Sequence, residues 1–264
     1  LIIIKTLYFC IMKLRLFFLL SLIVLVGCKK ASTISFSSES FTESDLKICE
    51  NDSCSKITID YIKVEGDEAT ALKINSQIES YIIKSLFLGE DDRPSAKSIE
   101  EAARQFIIAY RDHKNEFEYN MQYEAEVTVS EMFENENILC LQLQSYLFTG
   151  GAHGYGSTHF KNIDKETGEE ITVSELFEDE KGFLKLAEKA FRKEYKIPEN
   201  ESINYTGFWF EDDTFSLPET IGISKKNIIF IYNPYDIASY AEGPIIFEIP
   251  LKEAKPYLSN TYFP

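Results

Sequence analysis

Two of the three histidines, His153 and His159, flank Ser157 and precede Asp164, so one short stretch holds the residue types of a metal site and of a nucleophilic triad. The spacing supports neither chemistry. In an extended segment six residues set the imidazoles roughly 20 Å apart, beyond the reach of a shared ion, and no cysteine or paired carboxylate stands at ligand spacing. No metal is expected. A nucleophile elbow needs Gly-x-Ser-x-Gly between a strand and a helix, and the stretch lacks it. Gly150, Gly151, Gly154 and Gly156 make a glycine-dense bend without the Gly-Lys-Ser/Thr ending of a phosphate loop. With 43 acidic residues in 264, carboxylate pairs for glycoside hydrolysis can be drawn almost anywhere, and Asp212-Asp213 reads as a solvated turn. No catalytic residue and no cofactor is assigned.

What remains is a set of rings in or beside loops. His153, Tyr155, Trp209, Tyr235 and Tyr240 are the candidate ligand contacts, because aromatics on turns can anchor a sugar or a protein. Each also has a structural reading, as a hydrogen-bonded histidine or as a ring packed on a sheet.

The elements that must position these rings follow from hydrophobic period. Lys56–Val64 alternates as a strand. Ala71, Ile74, Ile78, Ile82 and Ile83 recur at helical spacing from Glu68 to Leu88, with Gly89 as the stop. Pro94 and Ser95 open a second helix striped by Ala102, Ala103, Phe106, Ile107 and Tyr110. Asn120–Phe133 and Ile138–Phe148 read as a hairpin, the glycine bend leads into a strand over Ser157–Asn162, and Gly182–Tyr195 reads as a third helix. Beyond it Phe215–Leu217, Thr220–Ser224, Asn227–Tyr232 and Ile245–Ile249 read as short strands, and Leu251–Leu258 as a closing helix. The fold class is α+β: antiparallel sheets with helices packed on one face, in two intimately joined subdomains over 55–150 and 151–264.

Two blocks carry a family resemblance. Tyr146-x-Phe148-Thr149-Gly150-Gly151-Ala152-His153, then Asn162-x-Asp164, Thr167-Gly168 and Leu176-Phe177, form the first; Asn233-Pro234-Tyr235-Asp236-Ile237-Ala238-Ser239-Tyr240-Ala241-x-Gly243-Pro244, then Ile249-Pro250-Leu251, form the second. Over roughly residues 55 to 260 the chain resembles the extracytoplasmic domain of the lysozyme-binding anti-sigma factor of Gram-positive bacteria, a module that also accompanies a peptidoglycan deacetylase. The resemblance implies a lysozyme-like protein or peptidoglycan as partner, in a family most of whose members are uncharacterised.

The N-terminus gives an address. Met12-Lys13-Leu14-Arg15 is a basic start, Leu16–Val26 an apolar run, and Leu25-Val26-Gly27-Cys28 resembles a lipobox, so residues 1–27 read as a lipoprotein signal peptide, Met12 as its start and Cys28 as the lipidated residue. The competing reading is a transmembrane anchor, since Leu1–Val26 is long enough to span a bilayer. Residues 28–54 read as a flexible, Ser/Thr-rich stalk. An exported chain meets an oxidising compartment, and Cys49 and Cys54, flanking the polar Glu50–Ser53, are expected to form a small disulfide. Cys140, inside the apolar run 138–143, is expected as a buried thiol.

Charge narrows the partners. The chain carries a formal net charge of −16, and loss of Lys5, Lys13 and Arg15 with the signal peptide deepens it, so nucleic acid is excluded as a partner and the membrane is touched through the lipid anchor alone. The expected function is that of an extracytoplasmic, lipid-anchored binding module of the bacterial envelope for a lysozyme-like protein or a cell-wall glycan. An enzyme or accessory domain of envelope polysaccharide modification is the rival, and a purely structural envelope protein the third reading. The chain as given reads as having neither a separate deacetylase domain nor a cytoplasmic sigma-binding domain.

Overall fold

The computed structural model describes residues 34–50, 52–89, 93–117 and 121–264. The segment expected to be a signal peptide and the expected lipidation residue Cys28 lie outside them. Strand β1 (Ser35–Thr42) pairs antiparallel with β2 (Lys56–Glu65) along its whole length. Part of the expected stalk is therefore ordered sheet: Phe36 and Phe41, hidden in a serine-rich run, pack against the core and hold it there. Between the two strands the chain makes 3-10 turns over Glu43–Asp45 and Lys47–Cys49. Cys49 and Cys54 are joined by a disulfide with Cα atoms 5.5 Å apart, within the ordinary span of such a bond.

Helices α1 (Glu68–Ser85) and α2 (Ile99–Phe117) follow, each burying its apolar stripe. Asp67 caps the first by accepting from the Thr70 amide. Ser98 caps the second by accepting from the Glu101 amide at 3.2 Å, so α2 begins at Ile99 and the Pro94-Ser95 pair precedes it. Arg111 on α2 reaches the disulfide loop, donating to the Ser53 and Ile48 carbonyls at 2.8 and 2.6 Å.

Strands β3 (Glu124–Glu134), β4 (Ile138–Phe148) and β5 (Tyr155–Asp164) complete a sheet of order β1-β2-β3-β4-β5. One pair departs from the antiparallel expectation: β2 and β3 run parallel. The two helices between them are the crossover that a parallel pair requires. β5 pairs with β4 from Leu147↔Tyr155 to Ile138↔Asp164, so the chain from the bend to Asp164, expected to open the C-terminal subdomain, belongs to the N-terminal sheet.

The C-terminal section contributes α3 (Glu180–Glu194), β6 (Ile221–Ile223), β7 (Asn227–Tyr232), β8 (Ile245–Pro250) and the short α4 (Leu251–Ala254), with β6-β7-β8 as a second, antiparallel sheet. Phe215–Leu217 is not a strand; Phe215 is drawn into the core instead. β4 joins the halves. Its odd-numbered Leu139, Leu141 and Leu143 face the helices, while Ile138 and Cys140 face the second sheet, which explains an unbroken apolar run in a strand covered on both sides there. Burial pushes the Cys140 thiol up to about 12, and its sulfur accepts from the Ile223 amide.

Candidate functional site

The site is built on the glycine bend. Gly150 and Gly151 sit at φ 102° and 85°, a region that a side chain makes costly. Gly154 is needed for a different reason. A Cβ there would lie 2.5 Å from the Tyr146 ring and 2.7 Å from the Leu147 carbonyl, so the Tyr146 ring can cover the bend only where Gly154 has no side chain. The Gly154 carbonyl accepts from the Tyr240 hydroxyl at 2.8 Å and lies 3.0 Å from His153 Nδ1. A carbonyl only accepts, which assigns the proton to Nδ1 and leaves Nε2 an acceptor.

Four of the five candidate rings meet here. His153 stacks on Tyr240 with centroids 3.7 Å apart and planes 15° apart. The Tyr235 ring lies 5.7 Å from that of Tyr240, and the Tyr155 hydroxyl donates to the Pro234 carbonyl at 3.3 Å. Partial burial, with Asp236 adding to it, raises the Tyr155 phenol above its ordinary value. Trp209 comes alongside through its backbone, its amide donating to the Ile237 carbonyl at 3.0 Å. Tyr155, Trp209 and Tyr235 expose 40%, 49% and 55% of their surface, and the last two are the more open.

Tyr235 is held in an unusual way. Its φ of 77° is a left-handed conformation rare for a bulky residue. The turn enforces it: Asn233 N donates to the Asp236 carboxylate, Asp236 N to the Asn233 carbonyl, and Tyr235 N to the Ala238 carbonyl. Such strain costs on the order of 1 to 3 kcal/mol and persists where surrounding contacts over-determine it. Asn233, the first residue of the second family-like block, is the anchor of the turn. Buried, it accepts from the Thr158 amide at 2.7 Å and donates to the Thr158 carbonyl, pairing with the free edge of β5 as a strand would. The signal for it was present: an amide side chain at the start of an Asn-Pro turn directly after a strand.

The other chemistry-bearing residues do not converge. The Ser157 hydroxyl pairs with that of Ser145 across the sheet, and Asp164 caps the next turn by accepting from the Glu166 and Thr167 amides. Seven residues of strand hold Ser157 and Asp164 about 23 Å apart. Among the described residues no group of three or more His, Cys, Asp or Glu side chains could hold a metal ion.

A mixed five-stranded sheet with two helices on one face, joined through β4 to a small antiparallel sheet with its own helix, defines an α+β module with a cluster of rings at the meeting of its two parts. Two family models match, one within each part. The model described as deacetylase PdaC matches residues 48–155, and the model described as a protein of unknown function, DUF3298, matches residues 174–252. They match the uncharacterised envelope-module family that the sequence resembles. His153 and Tyr155 come from the first region, and Trp209, Tyr235 and Tyr240 from the second.

Solved structures share the fold. A DUF3298 family protein from Pseudomonas aeruginosa PAO1 superposes with a TM-score of 0.63 at 19% identity, over 90% of this chain and 99% of that one. A member of the same family from Bacteroides fragilis NCTC 9343 gives 0.62 at 21% identity, over 88% and 96%. No curated protein matches the chain in sequence. The two families suggest an accessory module, and neither description names a ligand.

Proposed function

We propose that the protein is a lipid-anchored lipoprotein of the bacterial envelope whose extracytoplasmic domain is a non-catalytic binding module, with the ring cluster at the meeting of its two regions as the binding face. The ligand is a lysozyme-like protein or a cell-wall glycan. One observation carries the reading: a tyrosine held at φ 77° and 55% exposed, touching only the edge of a stacked His–Tyr pair, is a costly arrangement for little burial. The family match to a deacetylase-associated region supports an envelope address, as does the lipobox-like Leu25–Cys28. The anchorage is assigned to Cys28 on the lipobox-like Leu25-Val26-Gly27-Cys28 alone; separately, among the described residues no helix is long and apolar enough to cross a membrane.

The match described as deacetylase PdaC also favours a second reading, in which the module serves an enzyme that modifies envelope polysaccharide. Capture by the immobilised protein separates the candidates. Lysozyme or soluble peptidoglycan fragments should be retained by the wild type and released when Trp209→Ala and His153→Ala are combined. Equal retention by that double variant would refute the face. Intact-mass analysis of native protein should show residues 1–27 absent and Cys28 carrying lipid; an unmodified Cys28 would refute the anchor.

A further inference from the structure

The helices cover one face of the five-stranded sheet, but the second sheet covers the other face only at one end of β3, β4 and β5, around Phe133, Ile138, Cys140 and Phe160. The rest of that face is open. Strand register sets Ser40, Asp60, Thr128, Gln144 and Thr158 side by side in one row across all five strands. The next row holds Glu126, Tyr146 and Gly156. Ser40, Asp60, Thr128 and Gln144 are exposed, and among the described residues the side chains of Thr128, Gln144 and Tyr146 make no hydrogen bond.

Tyr146 connects this strip to the ring cluster. Its ring lies over Gly154, whose carbonyl holds Tyr240 and His153. Opposite it stands Gly156, which has no side chain to cover the ring; a Cβ there would lie in van der Waals contact with it at 3.8 Å. A continuous surface therefore runs from Tyr235 through the His153–Tyr240 stack and Tyr146 to Gln144 and Thr128.

Its chemistry selects a class of ligand. Every ring in it carries a polar tip, and the exposed aliphatic residues Leu72, Leu88, Ile108, Met121 and Ile246 lie on other elements, unlike the mixed aromatic and aliphatic centre of a protein interface. The strip's charges, Asp60 and Glu126, are acidic, and the neighbouring Lys56 is taken up by Glu124 and Glu126, which disfavours an anionic polymer. Strands spaced about 4.8 Å apart present hydroxyl and amide groups at regular intervals away from an aromatic platform. We infer that the ligand of this surface is a linear, uncharged glycan, one sugar stacked on the ring cluster and the following sugars hydrogen-bonded by Tyr146, Gln144 and Thr128. The inference rests on the ring cluster being a binding face.

Calorimetric titration of the protein with β-1,4-linked N-acetylglucosamine oligomers, from disaccharide to hexasaccharide, tests it. Affinity should rise about tenfold or more with length. Gln144→Ala combined with Thr128→Ala, both exposed, should remove that gain and leave the melting temperature unchanged. Tyr235→Ala should abolish binding at every length. Length-independent binding, or a double variant that keeps the gain, overturns the inference. Should no oligomer bind while lysozyme binds in a Tyr235-dependent way, the glycan strip is wrong and the ring cluster stands. A Tyr235→Ala variant that binds every ligand as the wild type does overturns both.

Discussion

The core beneath α1 and α2 is mainly aliphatic, with Phe106, Tyr110 and Tyr123 as its buried rings, and the core beneath α3 is rich in aromatic residues. In the first, Ile57, Ile59, Ile74, Ile78, Ile82 and Ile107 stand at the regular spacings of long strands and helices. In the second, Phe183, Phe191, Phe210, Phe215, Phe230 and Phe247 fill the space among short strands and turns. The Phe191 ring has six aromatic neighbours with centroids from 4.7 to 6.1 Å away: Tyr195, Phe208, Phe210, Phe215, Phe247 and Tyr232. A regular backbone can assemble a core from many small increments of burial. An irregular one needs a few large side chains, each burying more surface than an isoleucine.

Truncating the aromatic hub should therefore have the largest effect. Phe191→Ala is expected to cost about 3 to 5 kcal/mol, read as a lowered urea midpoint. Because β4 lines both cores, the chain should still unfold in one transition; two separate transitions would break the picture of halves coupled through that strand.

The same contrast governs what the sequence revealed. The strands and helices around the aliphatic core were legible because period of two and spacing of three and four are printed in Ile57-x-Ile59 and in Ala71–Ile83. β1 was not, since Phe36 and Phe41 are diluted by serine and composition there reads as stalk. Around the aromatic core the strands β7 and β8 were legible, but Phe215 sits in no regular element: the alternation in Phe215-Ser216-Leu217 reads as a strand, whereas the ring is buried from an irregular segment. The candidate rings were found by type and by lying near turns. That they meet could not be read, because the approach depends on Asn233 bonding to Thr158 over 75 residues of intervening chain.

Three smaller changes sharpen the comparison. Asn233→Ala leaves the Thr158 edge groups without their partner and should cost roughly 1 to 3 kcal/mol while loosening the ring cluster, visible as faster amide exchange at Thr158. Cys49→Ser with Cys54→Ser removes a short cross-link in the aliphatic half and should cost roughly 2 kcal/mol by calorimetry. Ile78→Val, one methylene from the regular core, should cost about 1 kcal/mol, far below Phe191→Ala; equal costs would erase the distinction between the two cores.

Cys140, on the shared strand, gives the mildest readout. Its thiol is raised from 9.0 to about 12 by burial, so it should resist alkylation in the native state at pH 8 and react on unfolding. Because the folded value is the higher one, the stability this group contributes is present below pH 9.0 and is lost as pH rises towards about 12.

Tyr235→Gly tests the central claim most directly, because glycine takes φ 77° without strain and carries no ring. If the tyrosine is kept there for a ligand, the variant should melt at the same temperature or higher, by up to about 1 kcal/mol of added stability, and lose binding to peptidoglycan fragments or lysozyme. A variant that melts lower and binds as well as the wild type would make Tyr235 a packing residue and contradict the account.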